Sequence, residues 1–149
     1  MLFTKLIHPQ ILEALASSGH HGRILIADGN YPARSTLGPN AKLVSMNLSP
    51  GIVTCTQVLE ALVATVPIEA AYTMDYQRSG PYALDSDPPV WEEYRRVFAE
   101  NEMDLALQPI EKYEFYTHVT VPSHVLTIQT ADQGLFANLI LDIGVRKPD

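Results

Sequence analysis

The segment Arg23-Ile24-Leu25-Ile26-Ala27-Asp28 is a short apolar run with no helical period, bounded by Gly22 and Gly29. Such a run reads as a β-strand buried on both faces. That requirement constrains everything else, because apolar material must then cover each side of the sheet that holds the strand. The flanking sequence supplies it. Pro9 stands where a first helical turn tolerates proline, Ile11, Leu12, Leu15 and Ala16 recur at helical spacing, and Gly19 ends that helix. The turn-rich stretch 29–40 is a loop, and Lys42 to Met46 forms a second strand. A helix over Gln57 to Val66, begun near Val53, is stopped by Pro67, and Ile68 to Met74 is a third strand. Four prolines and glycines (Gly80, Pro81, Pro88, Pro89) make 75–89 the longest irregular stretch. A helix over Val90 to Glu100 places Trp91, Tyr94, Arg95 and Phe98 on one side. Further strands are expected at Ile110 to Tyr113, Val125 to Thr130 and Asn138 to Ile143. Strands alternating with helices indicate one three-layer α/β/α domain over residues 1–149.

Composition removes several classes of function. Ten Lys and Arg against 17 Asp and Glu leave a net charge of −7, the wrong balance for nucleic acid, and no basic stripe offsets it. Cys55 is the only cysteine, so neither a disulfide framework nor a cysteine-rich zinc site is available. No apolar run approaches the roughly 20 residues of a membrane span, and the start MLFTKLIHPQ lacks signal-peptide features. A cytoplasmic protein is expected. No phosphate-cradling glycine motif occurs.

The densest chemical signal is Gly19-His20-His21-Gly22, followed by the strand and by Asp28-Gly29-Asn30-Tyr31-Pro32. A histidine between glycines lies on an exposed, turning backbone, and imidazole is the side chain that titrates near neutrality. An aspartate at the end of an apolar strand lies where open α/β sheets place their ligands. The plainer alternative is that His20 caps a turn and Asp28 starts one. A second cluster, Gln129, Thr130, Asp132, Gln133, Phe136 and Asn138, combines amides with a ring and suits a carbohydrate; the alternative is a polar hairpin with a core Phe. The five histidines show no metal-ligand spacing, so no metal is expected. Cys55 reads as a small buried residue, and Trp91 and Phe98 as core.

These segments, in order, resemble the ribose pyranase and L-fucose mutarotase family. The likeness begins with Gly-His-His-Gly and the 24–35 stretch and runs through Gln57-Val58-Leu59-Glu60-Ala61-Leu62. The 89–94 and 110–116 segments look like the fucose branch, and Phe136-Ala137-Asn138-Leu139-Ile140-Leu141 followed by Gly144-Val145 closes the match. The resemblance implies a ribose-pyranase-like fold with a central mixed sheet. It also implies interconversion of the α and β anomers of a free reducing sugar, L-fucose or a relative, with no cofactor. By the same resemblance His20 is the acid/base, Asp28 and Asn138 are hydroxyl anchors, and Lys112 is a polar wall or a charge partner of Asp28. Phe136 stands at a tyrosine position and lacks its hydroxyl, and the β-branched 117–122 stretch with Pro122 departs from a charged helix. A catalytically weak or inactive monosaccharide-binding, transport-accessory protein is the alternative function.

The spacing of His20 and Asp28 poses a geometric problem. Eight extended residues at about 3.3 Å each separate them by roughly 25 Å. One sugar touches both only if the chain folds back near Gly22 or if His20 of one subunit faces Asp28 of the next. Members of the family are ring-like homo-oligomers, decamers in bacterial cases, so the resemblance favours a site shared between subunits.

Overall fold

The computed structural model describes residues 2–148. Its centre is a six-stranded mixed sheet built from β1 (Arg23–Ala27), β2 (Lys42–Ser45), β3 (Ile68–Met74), β4 (Leu107–Ile110), β5 (His124–Gln129) and β6 (Leu139–Ile143), in the order β2-β5-β1-β6-β3-β4. β1 runs parallel to β5 and antiparallel to β6. β2 is parallel to β5, β3 is antiparallel to β6 and β4 is parallel to β3.

The apolar run at 23–28 is the strand expected of it, buried between two neighbours and between two layers. Ile24 and Ile26 point into the larger core, which also takes residues of α1 (Pro9–Ser17), α2 (Cys55–Val63) and α3 (Pro89–Glu100). Leu25 and Ala27 point the other way, into a smaller core with Tyr31, Phe115 and Val119, the last two from α4 (Lys112–Val119). Alternation along one strand thus divides the molecule into three layers. At the strand's start, Arg23 makes a two-point contact with Asp142, at 2.6 and 2.9 Å, across the β1–β6 pair.

The second helix is shorter than its periodicity implies. It begins at Cys55 because Thr54 caps it: its hydroxyl accepts from the Gln57 N–H, and the Gln57 side chain accepts from the Thr54 N–H. It ends at Val63, ahead of Pro67. A larger correction lies at 110–113. The aromatic run there predicts a strand, but β4 ends at Ile110 and α4 starts at Lys112. Glu111 is the reason. Its carboxylate accepts from the Tyr113 and Glu114 N–H groups at 2.7 and 3.2 Å, which starts a helix, and Phe115 and Val119, four apart, then bury together. Tertiary burial overrides local propensity here. The helix takes in Thr117, His118 and Val119 and stops before Pro122, so the departure at 117–122 costs only its second half. Among the described residues, no helix is long and apolar enough to cross a membrane.

Candidate active site

β5 lies on one side of β1 and β6 on the other, so the segment 130–138 crosses the end of β1 at Asp28. The second polar cluster is therefore no hairpin. A cavity of about 190 Å³ opens at this crossing. Asp28, Lys112, Phe136 and Asn138 all line it, and Asn30, Tyr31, Tyr116, Gln77 and Tyr82 complete much of its wall.

Asp28 is 5% exposed and heavily braced. Its backbone N–H donates to Asn138 Oδ1 at 2.9 Å, and Asn138 Nδ2 donates back to its carboxylate at 2.7 Å. The Asn30 N–H donates to the other carboxylate oxygen at 2.9 Å, and the Gln129 amide donates to the Asp28 carbonyl. Burial nevertheless outweighs these donors and pushes the Asp28 carboxyl up from 3.8 to about 6. A carboxylate kept in this setting is poised to accept from a ligand's hydroxyls, because each added donor relieves part of its desolvation.

The polar residues of 129–138 divide their labour. The Thr130 hydroxyl donates to the Ala27 carbonyl, and Asp132 accepts from the Cys55 and Gly134 N–H groups at 2.9 and 2.8 Å. These bonds shape the crossing segment. α3 fastens it from below: Trp91 Nε1 donates to the Phe136 carbonyl at 3.1 Å and the Tyr94 hydroxyl donates to that of Ala137 at 2.5 Å. Trp91 and Phe98 are core residues, as their helical spacing indicates. Phe136 has φ +58 and sits in a turn, so it does not share an extended face with Asn138; it reaches the cavity by the turn. Cys55 is fully buried, and burial pushes its thiol up to about 12, which leaves it unreactive.

Lys112, the first residue of α4, is exposed at the cavity wall, and among the described residues no ion pair joins it to Asp28. Tyr31 contributes a buried hydroxyl with no protein partner among the described residues. Gln77 and Tyr82 come from the irregular stretch before α3, where composition announces a loop but not which residues border the cavity. Tyr116 became visible only once 112–119 was a helix.

His20 is not in this cavity. The Gly19–Gly22 turn precedes β1 and the cavity follows it, and five strand residues of about 3.3 Å each lie between. The chain does not fold back at Gly22, so His20 stands at the opposite end of the strand from Asp28. There its Nε2 donates to the Glu69 carboxylate at 2.9 and 3.0 Å, and the His21 ring stacks on it at 3.6 Å. Glu69, at the start of β3, escaped the sequence reading because it is 49 positions away and carries no motif of its own. With Glu69 at Nε2, the neutral ring keeps Nδ1 as its basic nitrogen.

Known proteins agree with this architecture. Human fucose mutarotase is 31% identical over 151 aligned residues, covering 94% of this chain and 90% of the human one. The crystal structure of the fucose mutarotase from Streptococcus pneumoniae in complex with L-fucose superposes with a TM-score of 0.81 at 24% identity, covering 99% of this chain and all of the other. The Bacillus subtilis RbsD complexed with D-ribose superposes at 0.78 with 19% identity, again over 99% of this chain and all of that one. A family model, the RbsD / FucU transport protein family, matches residues 1–146. This chain belongs to the RbsD / FucU family.

Proposed function

We propose that the chain is a monosaccharide mutarotase that interconverts the α and β anomers of L-fucose or a closely related free sugar. The observation that carries the reading is the braced Asp28–Asn138 pair in a small cavity edged by aromatic rings. At about 190 Å³ the cavity is smaller than the roughly 300–1,000 Å³ typical of drug-sized sites. It has the scale of one sugar ring, and the relationship to human fucose mutarotase supports L-fucose as the first candidate.

Mutarotation opens a hemiacetal: a base takes the anomeric hydroxyl proton while an acid protonates the ring oxygen, and reclosure on the other carbonyl face inverts C1. Positioned proton transfer is worth about 10²–10⁴-fold, enough for this reaction without a covalent intermediate, metal or cofactor. Asp28 and Asn138 hold sugar hydroxyls, Lys112 forms a polar wall and Phe136 covers a C–H face. His20 acts as the acid/base through Nδ1. Since His20 and the cavity occupy opposite ends of β1, the site is composite: His20 of one subunit faces the Asp28 cavity of the next in a ring-like homo-oligomer of the decamer type, in the cytoplasm.

The direct test is two-dimensional exchange NMR on equilibrated L-fucose, with D-ribose and D-galactose as controls. Exchange between α and β signals should rise in proportion to protein. Ligand broadening without added exchange would instead mark a sugar-binding, transport-accessory protein, the reading favoured by the missing hydroxyl at Phe136. Mixing His20→Ala with Asp28→Ala subunits tests the shared site. Hybrid oligomers, verified by native mass spectrometry, should regain activity; hybrids no better than their parents would place the whole site in one chain.

A further inference from the structure

His20, His21 and Glu69 bring two imidazoles and a carboxylate together outside the cavity. His20 Nε2 lies 2.9 Å from Glu69 Oε2 and His21 Nδ1 lies 3.0 Å from Oε1, and the three donor atoms fall within 4.8 Å of one another. We propose that these residues form a binding site for a divalent transition-metal ion of the zinc type, and that an ion held there switches off the acid/base function of His20. The switching half rests on the mutarotase reading; the metal site does not.

The donor set suits such an ion. Imidazole nitrogen and carboxylate oxygen are both zinc ligands, and three protein donors leave a fourth position for water. Metal–ligand bonds of about 2.0–2.1 Å in a tetrahedron put neighbouring donors about 3.3 Å apart. The observed 2.9 and 3.0 Å contacts need to open by only a few tenths of an ångström. In the single chain all three side chains are open to solvent, and in the ring an ion would enter by the same opening that admits a sugar to His20.

Two details indicate that the cluster is built by the turn. His21 adopts φ +65, a conformation glycine enters without steric cost and a residue bearing Cβ does not. It is held there by its N–H bond to the Ile143 carbonyl at 2.9 Å and by the Gly22 N–H bond to Gly19 at 3.0 Å. That backbone sets the second imidazole beside the first and above the same carboxylate. The stack must open for one ion to lie in both ring planes, since the rings are inclined by only 26°. The His21 side chain is 73% exposed, so its outer face has no packing to resist that opening.

Switching follows from imidazole chemistry. A neutral ring has one lone-pair nitrogen. With Glu69 accepting at Nε2, that nitrogen is Nδ1; with a metal at Nε2, the single ring proton moves to Nδ1, which becomes a donor only. His20 then has no basic nitrogen to offer a sugar.

The experiment titrates zinc chloride into the intact, metal-stripped protein by calorimetry, for wild type, His21→Ala and Glu69→Gln, with cobalt(II) absorption reporting coordination geometry. One zinc per chain is expected for wild type, with tetrahedral cobalt absorption, and affinity about tenfold or more weaker in either variant. Equal isotherms for wild type and His21→Ala, or no binding in the micromolar range, would overturn the site. Zinc should also suppress wild-type anomer exchange, reversibly on chelation, while metal-free His21→Ala retains exchange and resists the same zinc. Zinc bound stoichiometrically with exchange unaffected would overturn the switch alone. Absent exchange in metal-free wild type would count against the mutarotase reading, and the isotherms would still decide the metal site.

Discussion

Asp28 should make the protein less stable as the pH rises through the mildly acidic range, and Asp28→Asn should remove that dependence. The carboxyl is raised from 3.8 to about 6, chiefly by burial, so the folded chain binds this proton more tightly than the unfolded chain does. Between those two values the native state carries the extra proton, and unfolding free energy therefore falls with rising pH. Well below 3.8 the side chain is neutral in both states and no penalty applies; well above 6 it is ionised in both and the penalty is complete. About two pKa units at 1.36 kcal/mol each make the penalty about 3 kcal/mol. The Asn replacement has its own cost, because its single oxygen cannot accept from both Asn30 and Asn138. That cost is the same at every pH, so the informative quantity is the difference between the two proteins across pH. Urea denaturation at pH 4, 5, 6 and 7, at one protein concentration, should show Asp28→Asn gaining about 2.4 kcal/mol relative to wild type from the lowest pH to the highest. Carbon-detected NMR of the Asp28 carboxyl should give a midpoint near 6, shifted down by bound L-fucose, whose hydroxyls favour the ionised form. A difference flat with pH, together with an ordinary carboxylate midpoint, would refute the account of a desolvated, ligand-ready Asp28.

His20→Ala should slow anomer exchange by about 10²–10⁴-fold while native mass spectrometry shows an unchanged oligomer, since the side chain is exposed on a turn. Phe136→Tyr should change the exchange rate or the preferred sugar by roughly 2- to 13-fold, the worth of a hydrogen bond of about 0.5–1.5 kcal/mol, with an unchanged melting temperature; a lowered melting temperature with unchanged exchange would make the ring a core residue. Glu111→Ala removes the cap of α4 and should cost about 0.5–2 kcal/mol in chemical denaturation, and weaker sugar binding should accompany it, because Lys112 is the first residue of that helix.

The strands were legible where burial is uniform. Ile24 to Ala27 has one solution, and the structure adopts it; Ile68 to Met74 is also a strand, although its burial is uneven and Glu69 faces solvent. The 110–116 segment was not, because Tyr113, Phe115 and Tyr116 favour a strand locally and only the Glu111 cap and the second core decide for a helix. Phe136 and Asn138 are two apart in sequence, which suggests a shared face, yet the left-handed turn at Phe136 breaks that periodicity. The pairing of His20 with Glu69 could not be read at all: it depends on how the turn before β1 meets the start of β3, with β6 between the two strands. Motif chemistry survives in the sequence when its residues are near neighbours, and is lost when sheet order brings them together.

The route of 130–138 over the end of β1 has a consequence for how such a protein can change. Because β5 and β6 flank β1, this segment has a fixed span to cross, and the Trp91 and Tyr94 bonds pin it beside Asn138. An insertion between those bonds and Leu139 would push Asn138 off Asp28, so the length of that end is mechanically locked. The stretch before α3, which brings Gln77 and Tyr82 to the rim, spans no such fixed gap over the carboxylate. Lengthening, shortening or recolouring it alters what the rim admits while leaving the charge-bearing floor untouched. A designer seeking a different sugar should therefore graft rims at 75–88, and a lineage acquiring new substrates should show its length variation at the same place.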